Sequence, residues 1–146
     1  MQEAKRLYGD VKRVFLLNGD AFVLSANRLK PIAKLIIKYF PGVNVITMYA
    51  SINIIKSKTD EEFKALRDLR INDLWVGTET GHEATLEYMN KGFSLKDSYE
   101  QLERLNKAGI RHIDILIFGG AGRRKGIQNA LANAKLINAS NPWEYP

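Results

Sequence analysis

The feature that most limits how this chain can fold is a regular alternation of two hydrophobic periods. Short β-prone runs, "VKRVFLLN" (11–18), "VNVITMYAS" (43–51), "DLWVGTET" (73–80) and "RHIDILIF" (111–118), are separated by stretches with apolar residues at three- and four-residue spacing. Those stretches are "PIAKLIIKYF" (31–40), "TDEEFKALRDLR" (59–70), a short piece around Leu86 and Met89, "SLKDSYEQLERLNKAG" (94–109) and "IQNALANAKLIN" (127–138), and "QEAKRLYG" (2–9) reads as a helix tail. Asn27 is expected to cap the first long helix, with Pro31 in its first turn; Thr59 and Glu62 stand in capping-box spacing, Ser94 opens the next helix and Gly109 closes it. Strands separated by helices are parallel and joined by right-handed crossovers. The prediction is one α/β domain over residues 1–146, a four-stranded parallel βα repeat. Two architectures fit this order: an arc of a (β/α) TIM-like barrel, and a doubly wound open sheet.

Strand alternation bears on that choice. Thr47, Tyr49 and Ser51 share a face, as do Trp75 and Glu79, and as do His112 and Asp114 with Leu116 and Phe118. The opposite faces, Ile46 with Met48 and Ile113 with Ile115 and Ile117, suit packing against helices. An apolar outer face and a partly polar inner face favour the barrel arc, because a doubly wound sheet is apolar on both sides. In either fold, ligands bind at the carboxyl ends of the strands. Those ends read "NGD" (18–20), "ASIN" (50–53), "GTETG" (77–81) and "FGGAG" (118–122), all polar or glycine-rich, which marks one rim as the candidate site. Each piece also has a plainer reading. Gly19-Asp20 makes a strand-to-loop turn, Glu79 caps a helix or pairs with a lysine, and His112 is a hydrogen-bonded wall residue. "GGAGRRKG" (119–126) reads either as a phosphate cradle or as a flexible surface loop.

Composition narrows the chemistry. There is no cysteine, so this chain supplies no disulfide, thiol nucleophile or thiolate ligand, and its two isolated histidines do not suggest a metal site. The formal charge of +6 is spread over nearly every segment, without the basic and aromatic interleaving of a nucleic-acid face. No apolar run reaches the ~18–20 residues of a membrane span, and "MQEAKRLYGD" lacks a secretory core, so the expected setting is cytoplasmic.

Taken in order, the strand ends resemble the radical S-adenosylmethionine family. "FLLNGDAF" looks like a shortened version of that family's glycine-glycine-glutamate motif, here Asn18-Gly19-Asp20. "VGTETGHEATLEYMNKG" resembles its fourth-strand segment, Gly-x-Glu-Ser-Gly and then a short helix ending near Met-Asn-Lys-Gly. "GIRHIDILIFGGAG" resembles the fifth strand with its glycine-rich end. The resemblance implies a partial (β/α) barrel holding S-adenosylmethionine at its rim. Asn18, Gly19 and Asp20 would meet the cofactor's amino group, Glu79 and Thr80 its ribose and amino-acid end, and Gly119 and Gly120 would lie near its adenine. In such enzymes, labelled Fe–S oxidoreductases or oxygen-independent coproporphyrinogen oxidases, a [4Fe–4S] cluster on C-x3-C-x2-C reductively cleaves the cofactor to a 5′-deoxyadenosyl radical, which takes hydrogen from a small-molecule substrate.

This chain departs from the family in having none of the three cysteines. It reads as the second to fifth strands of such a barrel, ending at "NPWEYP" where a sixth would start, and so as the middle of a larger enzyme. The expectation is a chain inactive alone, with weak or absent S-adenosylmethionine binding. Two other readings remain: a non-catalytic scaffold or interaction module, and a phosphate- or nucleotide-binding domain using residues 119–126. Two unguarded sheet edges, "KRVFLLN" and "RHIDILIF", lead to the expectation of a homo-oligomer.

Overall fold

In the computed structural model, which describes residues 1–143, four strands form one parallel sheet in the order β1-β2-β3-β4. They are β1 (Arg13–Leu16), β2 (Val45–Ser51), β3 (Ile71–Glu79) and β4 (Arg111–Leu116). Around them run α1 (Gln2–Tyr8), α2 (Ala26–Tyr39), α3 (Ile52–Lys56), α4 (Asp60–Asp68), α5 (Glu83–Met89), α6 (Leu95–Ala108) and α7 (Gly126–Ser140). Spatial order equal to chain order decides the architecture. Successive right-handed crossovers that never reverse direction leave their helices on one face of the sheet, whereas a doubly wound sheet needs a reversal. The fold is the barrel arc. The expected start of a sixth strand at "NPWEYP" falls partly outside the described residues, and no helix among those residues is long and apolar enough to cross a membrane.

The core lies between the sheet and the helices. Ile46, Met48, Leu74 and Val76 are fully buried from the sheet side, against Leu29, Phe63, Leu66, Leu102 and Leu105 from the helices. Phe22, on a short 3-10 turn after β1, stacks on Phe63 at 6.4 Å between ring centroids. Local signals set the helix ends. The Thr59 hydroxyl accepts from the Glu62 N–H at 3.2 Å while Glu62 accepts from the Thr59 N–H at 2.9 Å, closing the expected box. Gly109, at φ 72°, ends α6 in the left-handed conformation that glycine adopts without strain.

At the end of β2, Ser51 leads directly into α3, which buries Ile52 and Ile55. Two expectations are corrected. The cap of α2 is Ser25, whose carbonyl accepts from the Arg28 and Leu29 N–H groups, so Asn27 is inside the helix and exposed Pro31 sits in the second turn. The second correction concerns β4, whose phase is opposite to that read from the sequence. His112 pairs in register with Leu74 and Ile113 with Trp75, so His112 and Asp114 face the helices, and Ile113 and Ile115 the concave side. The burial of His112 and Asp114 is satisfied by α7. Asp114 Oδ2 accepts from the Ser140 hydroxyl at 2.7 Å, while His112 Nδ1 lies 3.0 Å from Asp114 Oδ1 and Nε2 3.1 Å from the Ser140 carbonyl.

One cap makes stability depend on acid. Lys56 Nζ lies 2.6 Å from Asp97 Oδ1, and Asp97 Oδ2 accepts from the Ser94 N–H and hydroxyl at the start of α6. The Lys56 ammonium first, and the Ser94 donors with it, hold the Asp97 carboxyl well below the usual carboxylate range. A depressed folded value contributes stability in full above the unfolded value of ~3.9 and loses it as pH falls through the folded one. Urea unfolding below about pH 4 should therefore show a shallower loss of stability with acid in Asp97→Asn than in the parent. Superimposable acid limbs would remove Asp97 from the account.

Candidate functional site

Asp20 and Glu79 come together at the carboxyl rim through β2. Asp20 Oδ2 accepts from the Ser51 N–H at 2.9 Å and from the Ser51 hydroxyl at 2.8 Å, fixing the loop after β1 to the end of β2. Ser51 is in register with Gly77 of β3. Gly77 matters because it has no side chain: a Cβ built there would stand 3.1 Å from Glu79 Oε1, in the space the carboxylate uses. Glu79 reaches that space through an irregularity. The β3–β4 register skips Thr78, and Glu79 has φ 65°, a left-handed conformation costly to a residue with a Cβ. Strain of this kind, of order 1–3 kcal/mol, clusters at functional sites.

Glu79 pairs with a lysine, as its plainer reading held, though the sequence did not say which one. Lys91 Nζ lies 3.1 Å from Glu79 Oε1, with the two side chains 35% and 17% exposed. Lys91 is delivered by the turn after α5, where Asn90 and Gly92 take φ 52° and 75° and the chain folds back toward the start of α3. There the Lys91 carbonyl accepts from the Asn53 amide at 3.2 Å. The signal was present in the sequence, since Lys91 belongs to the Met-Asn-Lys-Gly that closes the segment beginning at Glu79.

The other expected site residues follow the ends of β1, β3 and β4. Asn18 and Gly19 form an exposed turn with φ 83° and 76°. Thr80 turns away from the rim and is fully buried under α7, its hydroxyl 2.5 Å from Asn129 Oδ1 and 3.0 Å from Asn133 Oδ1. Gly119 is exposed at φ 83°, and Gly120 backs onto Thr85 and Met89 of α5. The groove there, ≈ 700 Å³, is lined by Ala84, Thr85 and Tyr88 and by residues 119–125.

Below the two carboxylates the concave face is aromatic. Phe15, Tyr49 and Trp75 lie with ring centroids 5.1 to 6.1 Å apart. Several polar atoms are enclosed around this face without a partner among the described residues: Asp20 Oδ1, Thr47 Oγ1, Asp73 Oδ1 and Trp75 Nε1. Such orphans are costly unless a bound group satisfies them. Behind Asp20, Lys58 donates to the Leu24 carbonyl at 3.0 Å and lies 4.7 Å over the Phe22 ring. Burial pushes its ammonium down from the usual lysine value, against the opposing pull of Glu62 and Asp20.

A [4Fe–4S] cluster does not fit the residues of this chain. There is no thiolate, His82 Nδ1 is engaged with the Thr85 hydroxyl at 2.8 Å, and His112 is enclosed between Asp114 and Ser140. No group of three metal-ligating side chains occurs among the described residues.

No family model matches the chain. It is 24% identical over 144 residues to the heme chaperone HemW of Bacillus subtilis (strain 168), a match covering 97% of this chain and 38% of that protein. Its structure is similar to coproporphyrinogen III oxidase (HemN) from Escherichia coli, a radical SAM enzyme, with TM-score 0.72 and 15% identity over 91% of this chain and 30% of that one. It is also similar to the cobalamin-dependent S-adenosylmethionine radical enzyme OxsB, with TM-score 0.69 and 15% identity over 92% of this chain and 20% of that one. The likeness in fold to these two radical S-adenosylmethionine enzymes extends over about nine-tenths of the chain, which spans well under half the length of each of the three proteins.

Proposed function

We propose that this chain forms the S-adenosylmethionine-binding rim of a radical S-adenosylmethionine protein, and that its own residues bind the molecule without cleaving it. The observation that supports this reading best is Glu79. It is held at φ 65° over a glycine, with Lys91 at 3.1 Å and the half-satisfied carboxylate of Asp20 across Ser51 and Gly77. An α-amino acid end is a zwitterion. Its ammonium suits Asp20 Oδ1 and Glu79, and its carboxylate suits Lys91, which would exchange part of one ion pair for another. S-adenosylmethionine supplies the carbon–sulfur bond that is cleaved when an electron arrives, and the cysteines that would hold an electron-delivering cluster are not in this chain.

Titration of the 15N-labelled chain with S-adenosylmethionine should shift Asp20, Gly77, Glu79 and Lys91, with a Kd of about 1 mM because the chain offers few charged contacts. Glu79→Ala should abolish those shifts. Shifts confined to residues 119–126 would instead support the phosphate- or nucleotide-binding reading, which rests on the groove beside Arg123, Arg124 and Lys125.

We also propose self-association through sheet edges. The outer edge of β1 pairs with no strand among the described residues, and an open edge offers unpaired N–H and C=O groups to another chain. Sedimentation at tens of micromolar should show a dimer whose population rises with concentration, and a concentration-independent monomer would refute it.

A further inference from the structure

Helix α7 is packed with its amides inward. Its buried positions are Asn129, Asn133, Leu136 and Ser140, while Ile127 and Leu131 are 78% and 68% exposed. The reason is on the inner side. Asn133 Oδ1 accepts from the Gly81 N–H at 2.7 Å, and both asparagines meet the Thr80 hydroxyl, so the aliphatic stripe is left facing outward. Two large side chains nearby are as open: Tyr88 of α5 is 84% exposed and Phe118, just past β4, 83%. Single exposed apolar residues are ordinary, but here Tyr88 lines a groove whose other wall runs from the residue after Phe118 to two residues before Ile127. Between α5 and the loop leading into α7 runs the groove of ≈ 700 Å³, with Ala84 and Tyr88 on one side. Arg123, Arg124 and Lys125 line it as well, all three exposed, and none pairs with a carboxylate among the described residues.

We propose that this surface docks an acidic amphipathic helix of a partner protein. Apolar side chains at i and i+4 would lie along Ile127 and Leu131 and enter the groove beside Tyr88, with flanking carboxylates meeting Arg123, Arg124 and Lys125. Charge selects this occupant. A second copy presenting the same surface would oppose three cations with three cations, which an isologous contact cannot tolerate. An anionic bilayer would answer the charge but is flat, and leaves the groove unfilled.

The test uses the full chain and a fluorescein-labelled helical peptide with leucines at i, i+4 and i+7 and glutamates on both flanks. Its comparator is the same composition scrambled to destroy the spacing. The spaced peptide should bind with a Kd of ~10–100 μM and the scrambled one at least about tenfold more weakly. Leu131→Ser and Arg124→Gln should each weaken binding by about fivefold, while shifts at Glu79 on adding S-adenosylmethionine stay as in the parent. Equal binding of the two peptides, or binding of neither, overturns the proposal. So does capture of the chain by phosphatidylserine vesicles that Leu131→Ser abolishes, which would assign the surface to a membrane.

Discussion

Replacing Gly81 by alanine is expected to lower folding stability by roughly 3 kcal/mol or more, among the larger effects a single methyl can have. The methyl would stand 2.3 Å from the Ala132 carbonyl oxygen, 2.7 Å from its carbon and 3.1 Å from the Asn133 nitrogen. All three are backbone atoms of α7, so no side chain can swing aside and the helix itself must move. Its movement would also strip Asn133 Oδ1 from the buried Gly81 N–H and Thr80 hydroxyl, and each orphaned group adds about 1–3 kcal/mol. Gly126→Ala is the matched control. Nothing lies within 4 Å of its Cβ position and its dihedrals are already helical, φ −58° and ψ −43°, so alanine there should stabilise by about 0.5–1 kcal/mol. Urea midpoints of the two variants should move in opposite directions. A Gly81→Ala protein within ~0.5 kcal/mol of the parent would mean that α7 does not rest on Gly81.

The contrast explains what "GTETG" (77–81) could and could not disclose. Its position at a strand end was legible from the alternation of strands and helices, and so was Glu79 as its one charged group. The division of labour within it was not. Gly77 leaves room for a carboxylate two residues on, the Thr80 hydroxyl meets the Oδ1 atoms of Asn129 and Asn133 in α7, and Gly81 lets the α7 backbone approach. Two of these three roles depend on a helix that comes some fifty residues later, with |i−j| of 49 to 53 for its hydrogen bonds to this segment. The same long-range dependence reversed the phase of β4. In "RHIDIL" the alternation is clear, but which half faces the helices is decided by Ser140, whose hydroxyl and carbonyl make burial of His112 and Asp114 tolerable. Lys91 was missed for a related reason: only the left-handed turns at Asn90 and Gly92 bring the far end of the segment back to Glu79.

The second large effect is expected at the opposite end of the concave face, where Arg13→Met should cost about 3–5 kcal/mol while Arg13→Met combined with Asp73→Leu costs far less. Asp73 is fully buried, its Oδ2 paired with Arg13 Nη1 and its Oδ1 without a partner among the described residues. Removing the guanidinium takes the counter-charge from an enclosed carboxylate, although the Arg13 side chain is itself 32% exposed, which sets the low end of that range. Removing both charges and replacing them with apolar groups removes the penalty along with the attraction, so the two changes should be strongly non-additive. The pair also bears on the rim. In the sheet β2 lies between β1 and β3, so the bridge from Arg13 to Asp73 spans a strand on the concave side and holds its two neighbours together. Those same two strands lead, at their other ends, to Asp20 and Glu79. A double-mutant cycle from urea unfolding should return a coupling of at least ~2 kcal/mol between Arg13 and Asp73. Additive losses would show that Asp73 draws its stability from something other than Arg13.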